Sequence, residues 1–201
     1  MRLNLKIHLL NREQIAQIYH TRMVQDFPPM ELKPLQRMQD AYDQGNYVCY
    51  ALLEEGKDIG PATKAEDILA YAFFVKMDNH YLFDYLAVSS DKRNSGLGTS
   101  FLELLHDEFA DSDSVIGEVE DPDCAENDTD RELQTRRLGF YLRNGYINTG
   151  IKVVMFDVDY IVLEMDLGKN HDRQTISNLY QEHYKAMLPR EMFLAKIRMK
   201  N

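Results

Sequence analysis

The sequence predicts a mixed α/β fold, a mixed sheet with helices on its faces, and three observations predict it. The chain has 201 residues, the length of one domain at roughly 100–200 residues per domain. Hydrophobic residues make up 44% and charged residues 28%. That is the balance of a globular chain with a sizeable core, and it excludes disordered, collagen-like and fibrous classes. Finally, segments of period two and of period 3.6 follow one another in the order β-α-α-β-β-β-α-β-α-β-β, which calls for helices packed on a sheet.

Each element has a local reason. Residues 3–9 alternate Leu, Leu, Ile, Leu with polar neighbours and read as a short strand. Ile15, Ile18, Tyr19 and Met23 then give helical spacing, ended by Phe27-Pro28-Pro29. A second helix starts near Pro34 and runs through Leu35, Met38, Ala41 and Tyr42 to a stop at Gly45. Tyr47–Leu53, Ile68–Met77 and Tyr81–Val88 are aromatic and β-branched runs separated by polar turns, hence a meander of three strands. A Gly-punctuated turn leads into a helix with Leu97, Phe101, Leu104, Leu105 and Phe109 on one face. Ser114–Glu120 reads as a fifth strand ending at Pro122. Residues 129–143 read as a helix with Leu133, Leu138, Tyr141 and Leu142 at core spacing, stopped by Asn144-Gly145. Strands Tyr146–Met155 and Asp159–Leu167 follow, and the remainder reads as helical through Ile176, Leu179, Tyr180 and Tyr184, with a break at Pro189. A pure Rossmann sheet would alternate more strictly.

Composition narrows the function classes. No run approaches 18 apolar residues and the N-terminus lacks a signal-peptide pattern, so a cytoplasmic protein without a membrane partner is expected. Cys49 and Cys124 are too few and too far apart for a disulfide framework or a CxxC site. The six histidines show no HxxxH or HExxH spacing, so no metal is expected. A net charge of -10 argues against nucleic acid. Residues 107–132 hold twelve acids against the single base Arg131, whereas residues 169–201 hold seven Lys/Arg against three acids.

The most informative segment is YLFDYLAVSSDKRNSGLGTSFLELL, where a strand runs into a turn with Gly96 and Gly98 at a helix start. Such a turn is an anion cradle. Glycine lets the backbone approach a phosphate, the first helical N–H groups point at it, and the helix dipole adds about half a positive charge. Arg93 stands three residues before Gly96 as a fixed cation. GxxxxGK[ST] is absent, which removes the Walker nucleoside triphosphatases. A dinucleotide fingerprint needs a third glycine where Phe101 stands, although Glu118 and Glu120 lie about 20 residues further on; this nicotinamide reading is the weaker one.

The remaining pattern, Arg93-x-x-Gly96-x-Gly98 after a strand ending Leu86-Ala87-Val88, resembles the acetyl-CoA pyrophosphate loop of the GNAT superfamily of N-acyltransferases. Residues Arg137 to Tyr146, RLGFYLRNGY, resemble the family's late helix, in which a tyrosine lies five residues before an aromatic that follows glycine. Phe27-Pro28-Pro29-Met30-Glu31-Leu32-Lys33-Pro34 and Glu118–Pro122 are similar to segments of certain bacterial members. The resemblance covers residues 1–167 and implies a mostly antiparallel twisted sheet of about seven strands flanked by helices. Residues 168–201 are left as a helical C-terminal extension packed on or next to the same domain, in the role of a lid, a homodimer contact or simple packing.

The resemblance also implies a chemistry: direct transfer of an acetyl group from acetyl-CoA, as co-substrate, to a primary amine of a small molecule or peptide. The cofactor would lie against Leu86, Ala87, Val88, Arg93, Asn94, Ser95, Gly96, Leu97, Gly98 and Thr99. Unpaired backbone N–H groups near Leu86–Val88 would bind the pantetheine amides and polarise the thioester carbonyl. Gln134 stands where the family often has a pantetheine-binding asparagine, and its longer stem supports similar hydrogen bonds. Tyr141 would lie against the cofactor near its sulfur and protonate the departing thiolate. For the base there are three candidates. Glu118 and Glu120 share one side of a strand about 7 Å apart, and a carboxylate beside another is a better proton acceptor. Asp84 shares a strand parity with Leu82, Leu86 and Val88, where a carboxylate needs a partner. The acidic window would attract a cationic amine. The alternative is a non-catalytic CoA-binding sensor or scaffold on the same fold.

Overall fold

The computed structural model describes residues 4–169 and 171–200. Leu3, read as the start of the first strand, lies outside the described residues, as do Met1, Arg2, Asn170 and Asn201. The chain divides into two compact units, one made of the residues up to Lys76 with Phe83–Glu108, the other of Met77–Leu82 with the residues from Phe109 onward.

The first unit opens with β1 (Leu5–Leu9), followed by a capping box that starts α1 (Arg12–Ile18). The Asn11 carboxamide oxygen accepts from the Glu13 and Gln14 amides, and Gln14 Oε1 accepts in return from the Asn11 amide at 2.8 Å. A π-helical stretch, Tyr19–Met23, and the single turn α2 (Val24–Asp26) continue it to the prolines. The π-turn explains how Ile18 and Met23 are both fully buried although five residues apart. At 100° per residue they would diverge by about 140°, and the i→i+5 turn returns Met23 to the stripe.

Next come α3 (Leu35–Asp43), β2 (Tyr47–Glu54), β3 (Ala70–Met77), β4 (His80–Val88) and α4 (Leu97–Glu108). β2 is antiparallel to β1, with Ile7 opposite Leu52, and to β3, with Cys49 opposite Phe73. Both β2 and β3 are buried almost throughout, with Tyr71, Phe73 and Phe74 among the largest fully buried side chains. The buried Arg22 guanidinium donates to the carbonyls of Ala65, at 3.1 Å, and Ile68 and pairs with Asp26 at 3.2 Å, while Tyr71 donates to Asp26 at 2.9 Å. This network fastens the π-turn to the loop before β3.

In the second unit the first residues of β4 pair in parallel with β5 (Ser114–Glu120), His80, Tyr81 and Leu82 lying opposite Ser114, Val115 and Ile116. Then follow α5 (Asp128–Arg143), β6 (Tyr146–Met155), β7 (Val158–Met165), α6 (Arg173–Met187), α7 (Arg190–Lys196) and β8 (Ile197–Lys200). β7 is antiparallel to both β5 and β6, and β8 is antiparallel to β6. Among the described residues the hydrogen-bonding order is β1-β2-β3-β4-β5-β7-β6-β8, a mostly antiparallel sheet of eight strands.

Two sequence expectations change. The C-terminal segment is helical in α6 and α7, but its last residues form β8, because Ile197 and Met199 alternate with cations along an open strand edge. The apolar residues of α5 do not form one buried stripe: Leu133 is 53% and Leu142 42% exposed, and no residue of α5 is buried. Nine residues at 100° each place those two leucines on opposite sides of the helix.

α6 carries a fully buried histidine, His183, whose Nδ1–H donates to the Leu179 carbonyl at 2.8 Å. Burial holds its imidazole below the ordinary histidine range and the His80 charge adds to that, against the opposing pull of the Leu179 and His80 backbone and of Glu182. The depressed value means that His183 contributes stability above about pH 6.5, lost as pH falls through the lower folded value. The melting temperature should therefore drop between pH 7 and 5, with a shallower drop in His183→Leu; identical slopes would refute it.

Candidate functional site

The phosphate-cradle candidate lies wholly in the first unit. β4 ends at Val88, and the buried Ser89 donates its amide to the Leu69 carbonyl at 2.9 Å, anchoring the strand end. A single 3-10 turn, Ser90–Lys92, follows, and Ser95 Oγ donates to the Lys92 carbonyl at 2.5 Å. The chain then passes through the left-handed region twice, at Asn94 with φ 63° and Gly96 with φ 87°. These two residues turn the strand into α4, whose first bond runs from the Ser100 amide to the Gly96 carbonyl at 3.1 Å. The amides of Leu97, Gly98 and Thr99 thus belong to the first turn, where a helix has no i−4 acceptor to offer. Arg93, Asn94, Ser95 and Gly96 are exposed, and Leu97 is buried as the hydrophobic foot of the helix. A Cβ at Gly96 would meet nothing within 4 Å, so glycine is demanded there by backbone angle, and open space lies over it. Leu86, Ala87 and Val88 lie beyond the last β4–β5 pair, Leu82 with Ile116.

Asp84, the base candidate of this unit, is already engaged. Its nearly buried carboxylate pairs with the Lys33 ammonium and accepts from the Tyr47 hydroxyl. Burial, with the Asp84 charge next, pushes the Tyr47 phenol well above its ordinary value, so it remains a donor. The neighbouring Tyr85 hydroxyl accepts from the Lys33 amide at 2.9 Å and donates to the Glu31 carbonyl at 2.7 Å, and Phe27 stacks edge-on to its ring at 5.0 Å. The proline-rich loop between α2 and α3 is thereby strapped to β4.

The other candidates lie in the second unit. Glu118 and Glu120 alternate with buried Val119 on β5. Glu118 Oε1 accepts from the Tyr184 hydroxyl of α6, and Glu120 pairs with the Arg137 guanidinium of α5. Tyr141 of α5 stacks edge-on to Tyr146 at 5.2 Å and to Phe140 at 5.3 Å. Burial pushes its phenol up to about 12, slightly opposed by Arg137, so the proton stays on Oη at neutral pH. Gln134 Oε1 is buried without a hydrogen-bond partner among the described residues, a vacancy that normally signals a missing donor. The acidic window is less naked than its composition suggests. Asp113, Glu120, Asp121, Asp123 and Asp128 pair with Lys169, Arg137, Lys152 (twice) and Arg131.

No protein-family profile matches this sequence, and no curated protein matches it either. Solved structures do. A GNAT-family putative acetyltransferase from Bacteroides thetaiotaomicron superimposes with a TM-score of 0.62 at 19% identity, over 90% of this chain and 94% of that one. The ribosomal-protein-S18-alanine N-acetyltransferase from Escherichia coli gives 0.53 at 17%, over 80% and 92%. Spermidine N-acetyltransferase from Vibrio cholerae, solved as a dodecamer, gives 0.56 at 8%, over 83% and 95%. The chain has the GNAT fold.

Gly96 and Gly98 lie at the strand-to-helix turn, and Gln134 and Tyr141 on the helix before β6. What motif reading missed is the partner of each carboxylate: Lys33 and Tyr47 for Asp84, Arg137 for Glu120, Tyr184 for Glu118. Lys33 and Arg137 stood inside quoted motifs, but nothing local in sequence says which acid they meet. Among the described residues no group of three or more His, Cys, Asp or Glu is placed to hold a metal, and no helix is long and apolar enough to cross a membrane.

Because only the backbone angle requires glycine at 96, Gly96→Ala should lower stability by about 1 kcal/mol. A chain of this length would show that as a melting-temperature drop of about 2–4 °C. Gly96→Asn should lose less, since asparagine tolerates the left-handed region; equal losses would contradict the reading.

Proposed function

We propose that this protein is an acetyl-CoA-dependent N-acetyltransferase acting by direct transfer on a primary amine of a small molecule or peptide. The observation that carries the reading is the turn at Asn94 and Gly96. It opens the N-terminus of α4 directly after β4, with free space over Gly96, in a chain of GNAT fold. Residues present fit the co-substrate. First-turn amides of α4 and the Arg93 guanidinium suit a pyrophosphate, and the unpartnered Gln134 Oε1 suits an amide N–H of the pantetheine arm.

When bound, acetyl-CoA supplies an acetyl thioester whose C–S bond breaks as the C–N bond to the amine forms. The protein's own groups handle protons and charge. A carboxylate, Glu118 first among the three candidates, takes one proton from the acceptor's ammonium, directly or through water, leaving a nucleophilic lone pair. Tyr141 holds a proton on Oη, with its phenol pushed up to about 12, and gives it to the leaving sulfur. Glu118 passes its proton to solvent, and the second proton shed by the nitrogen as the amide forms returns through solvent to the Tyr141 oxygen. Backbone N–H groups at Leu86–Val88 polarise the carbonyl. A cationic acceptor agrees with the net charge of -10, whose field attracts amines.

Thermal shift with acetyl-CoA, CoA and NADH tests the binding half. At about 100 times Kd a ligand adds about 2.7 kcal/mol to stability, so acetyl-CoA should raise the melting temperature by several degrees and NADH should leave it unchanged. The reverse pattern would sink the reading. Tyr141→Phe should keep that shift while turnover falls about 100-fold or more. Binding of acetyl-CoA without turnover on any amine would instead mark a CoA sensor on the same fold.

A further inference from the structure

The three carboxylates on which a base could be built differ in what holds them. Asp84 pairs with the Lys33 ammonium and Glu120 with the Arg137 guanidinium. Among the contacts of Glu118 is a phenol, the Tyr184 hydroxyl donating to its Oε1. A neutral hydroxyl donates to a carboxylate and accepts from a carboxylic acid, so it serves both protonation states of its partner. The phenol comes from α6, in the segment after residue 168, outside the part of the chain that carries the GNAT motifs.

The geometry holding that phenol is rigid. Tyr184 is buried and lies one helical turn from the fully buried Tyr180, their ring centroids 4.8 Å apart. Tyr180 donates to Met155 Sδ of β6 at 3.8 Å. Asp172 caps the helix through the Thr175 amide at 2.7 Å, and His171 Nδ1 contacts the buried Glu164 of β7 at 2.6 Å. Burial raises the Tyr180 phenol well above its ordinary value, with the Glu118 charge the next contribution, so Tyr180 remains a protonated neighbour of this carboxylate.

We propose that Tyr184 is a positioning residue for Glu118, and that α6 thereby belongs to the proton-accepting machinery of the site. This rests on the acetyltransferase reading above. By donating to Oε1, Tyr184 fixes the carboxylate's rotamer and stabilises its anionic form, and accepting the amine's proton requires only that the hydroxyl turn from donor to acceptor.

The test compares wild type with Tyr184→Phe, which keeps the ring and removes the hydroxyl. In the protein without acetyl-CoA, carbon-13 NMR of the Glu118 side chain should show its titration moving to higher pH by about one unit in the variant. The acid limb of kcat/KM should move by the same amount, with the acetyl-CoA thermal shift unchanged. A lower melting temperature with both titrations unmoved would overturn the proposal and leave Tyr184 as packing. Movement of the NMR titration without movement of the acid limb would overturn the assignment of Glu118 as base while leaving the enzyme reading intact. Absence of turnover in the wild type would overturn the enzyme reading and the proposal with it, whatever the NMR shows. If Tyr184→Phe does not fold, 3-fluorotyrosine at this position keeps the hydroxyl and strengthens its donation, and should move both titrations to lower pH.

Discussion

A carboxylate carried on a sheet beneath other elements has to be met by a donor, and much of this structure follows from that constraint. Uncompensated, each such charge would cost several kcal/mol in lost hydration. The chain answers with side chains brought from far along the sequence: Lys33 and Tyr47 to Asp84, Arg137 to Glu120, Lys152 to the buried Asp121, Tyr184 to Glu118. Each of these contacts also fixes a segment, and for the proline-rich loop and α5 it supplements little burial of their own. Lys33 and the backbone bridge through Tyr85 strap a proline-rich loop. Arg137 joins a helix with no buried residue to β5. Tyr184 ties the late helix α6 to the same strand. Carboxylates therefore act as anchor points for loops and helices that hydrophobic burial alone would leave loosely specified.

How much of this was legible in the sequence depended on range. β5 and β6 have the bounds read from their runs of β-branched residues between turn signals, Ser114–Glu120 and Tyr146–Met155. The turn after β4 was legible for the same reason, since a glycine that needs φ 87° reports on its own backbone. The π-turn was not, because Ile18 and Met23 look like an ordinary imperfect stripe until Arg22 is seen buried among carbonyls. α5 was misread in its packing, since its leucines were counted without asking on which side they fall. β8 escaped because four residues at a chain end carry too short a period to separate strand from helix. The carboxylate partners were illegible in principle: residues 33 and 84 are 51 positions apart and residues 118 and 184 are 66 apart, and pairing over such distances is decided by the fold.

The site candidates fall into two groups by unit. Asp84, Leu86–Val88 and the Arg93–Thr99 turn belong to the first; Glu118, Glu120, Gln134 and Tyr141 belong to the second. The chemistry assigned to them divides in the same way. The first group is backbone-rich, offering amides and one exposed guanidinium, which suits holding an anion. In the second lie the titratable side chains suited to moving protons, among them the Tyr141 phenol, which desolvation pushes up to about 12.

Under the acetyltransferase reading this division answers an electrostatic difficulty. A chain of net charge -10 repels a phosphate-bearing co-substrate at long range and attracts a cationic acceptor. The two charges must therefore be handled over different distances. At physiological salt the general field decays within about 8 Å, so an anion that reaches the turn after β4 feels mainly the aligned amides of α4 and the nearby Arg93, both short-ranged and directional. Ion pairing of the acids in residues 107–132, mostly with cations outside that window, acts over equally short distances. By pairing five of the twelve acids with four cations, it leaves the remainder to form a weak, screened field that can gather amines without holding them too tightly to be released. A uniformly basic protein would bind the co-substrate more readily and turn its acceptor away. On that reading an acidic bulk with a local anion cradle serves both partners, and the cost falls on Asn94 and Gly96, whose backbone takes up the left-handed turn before α4.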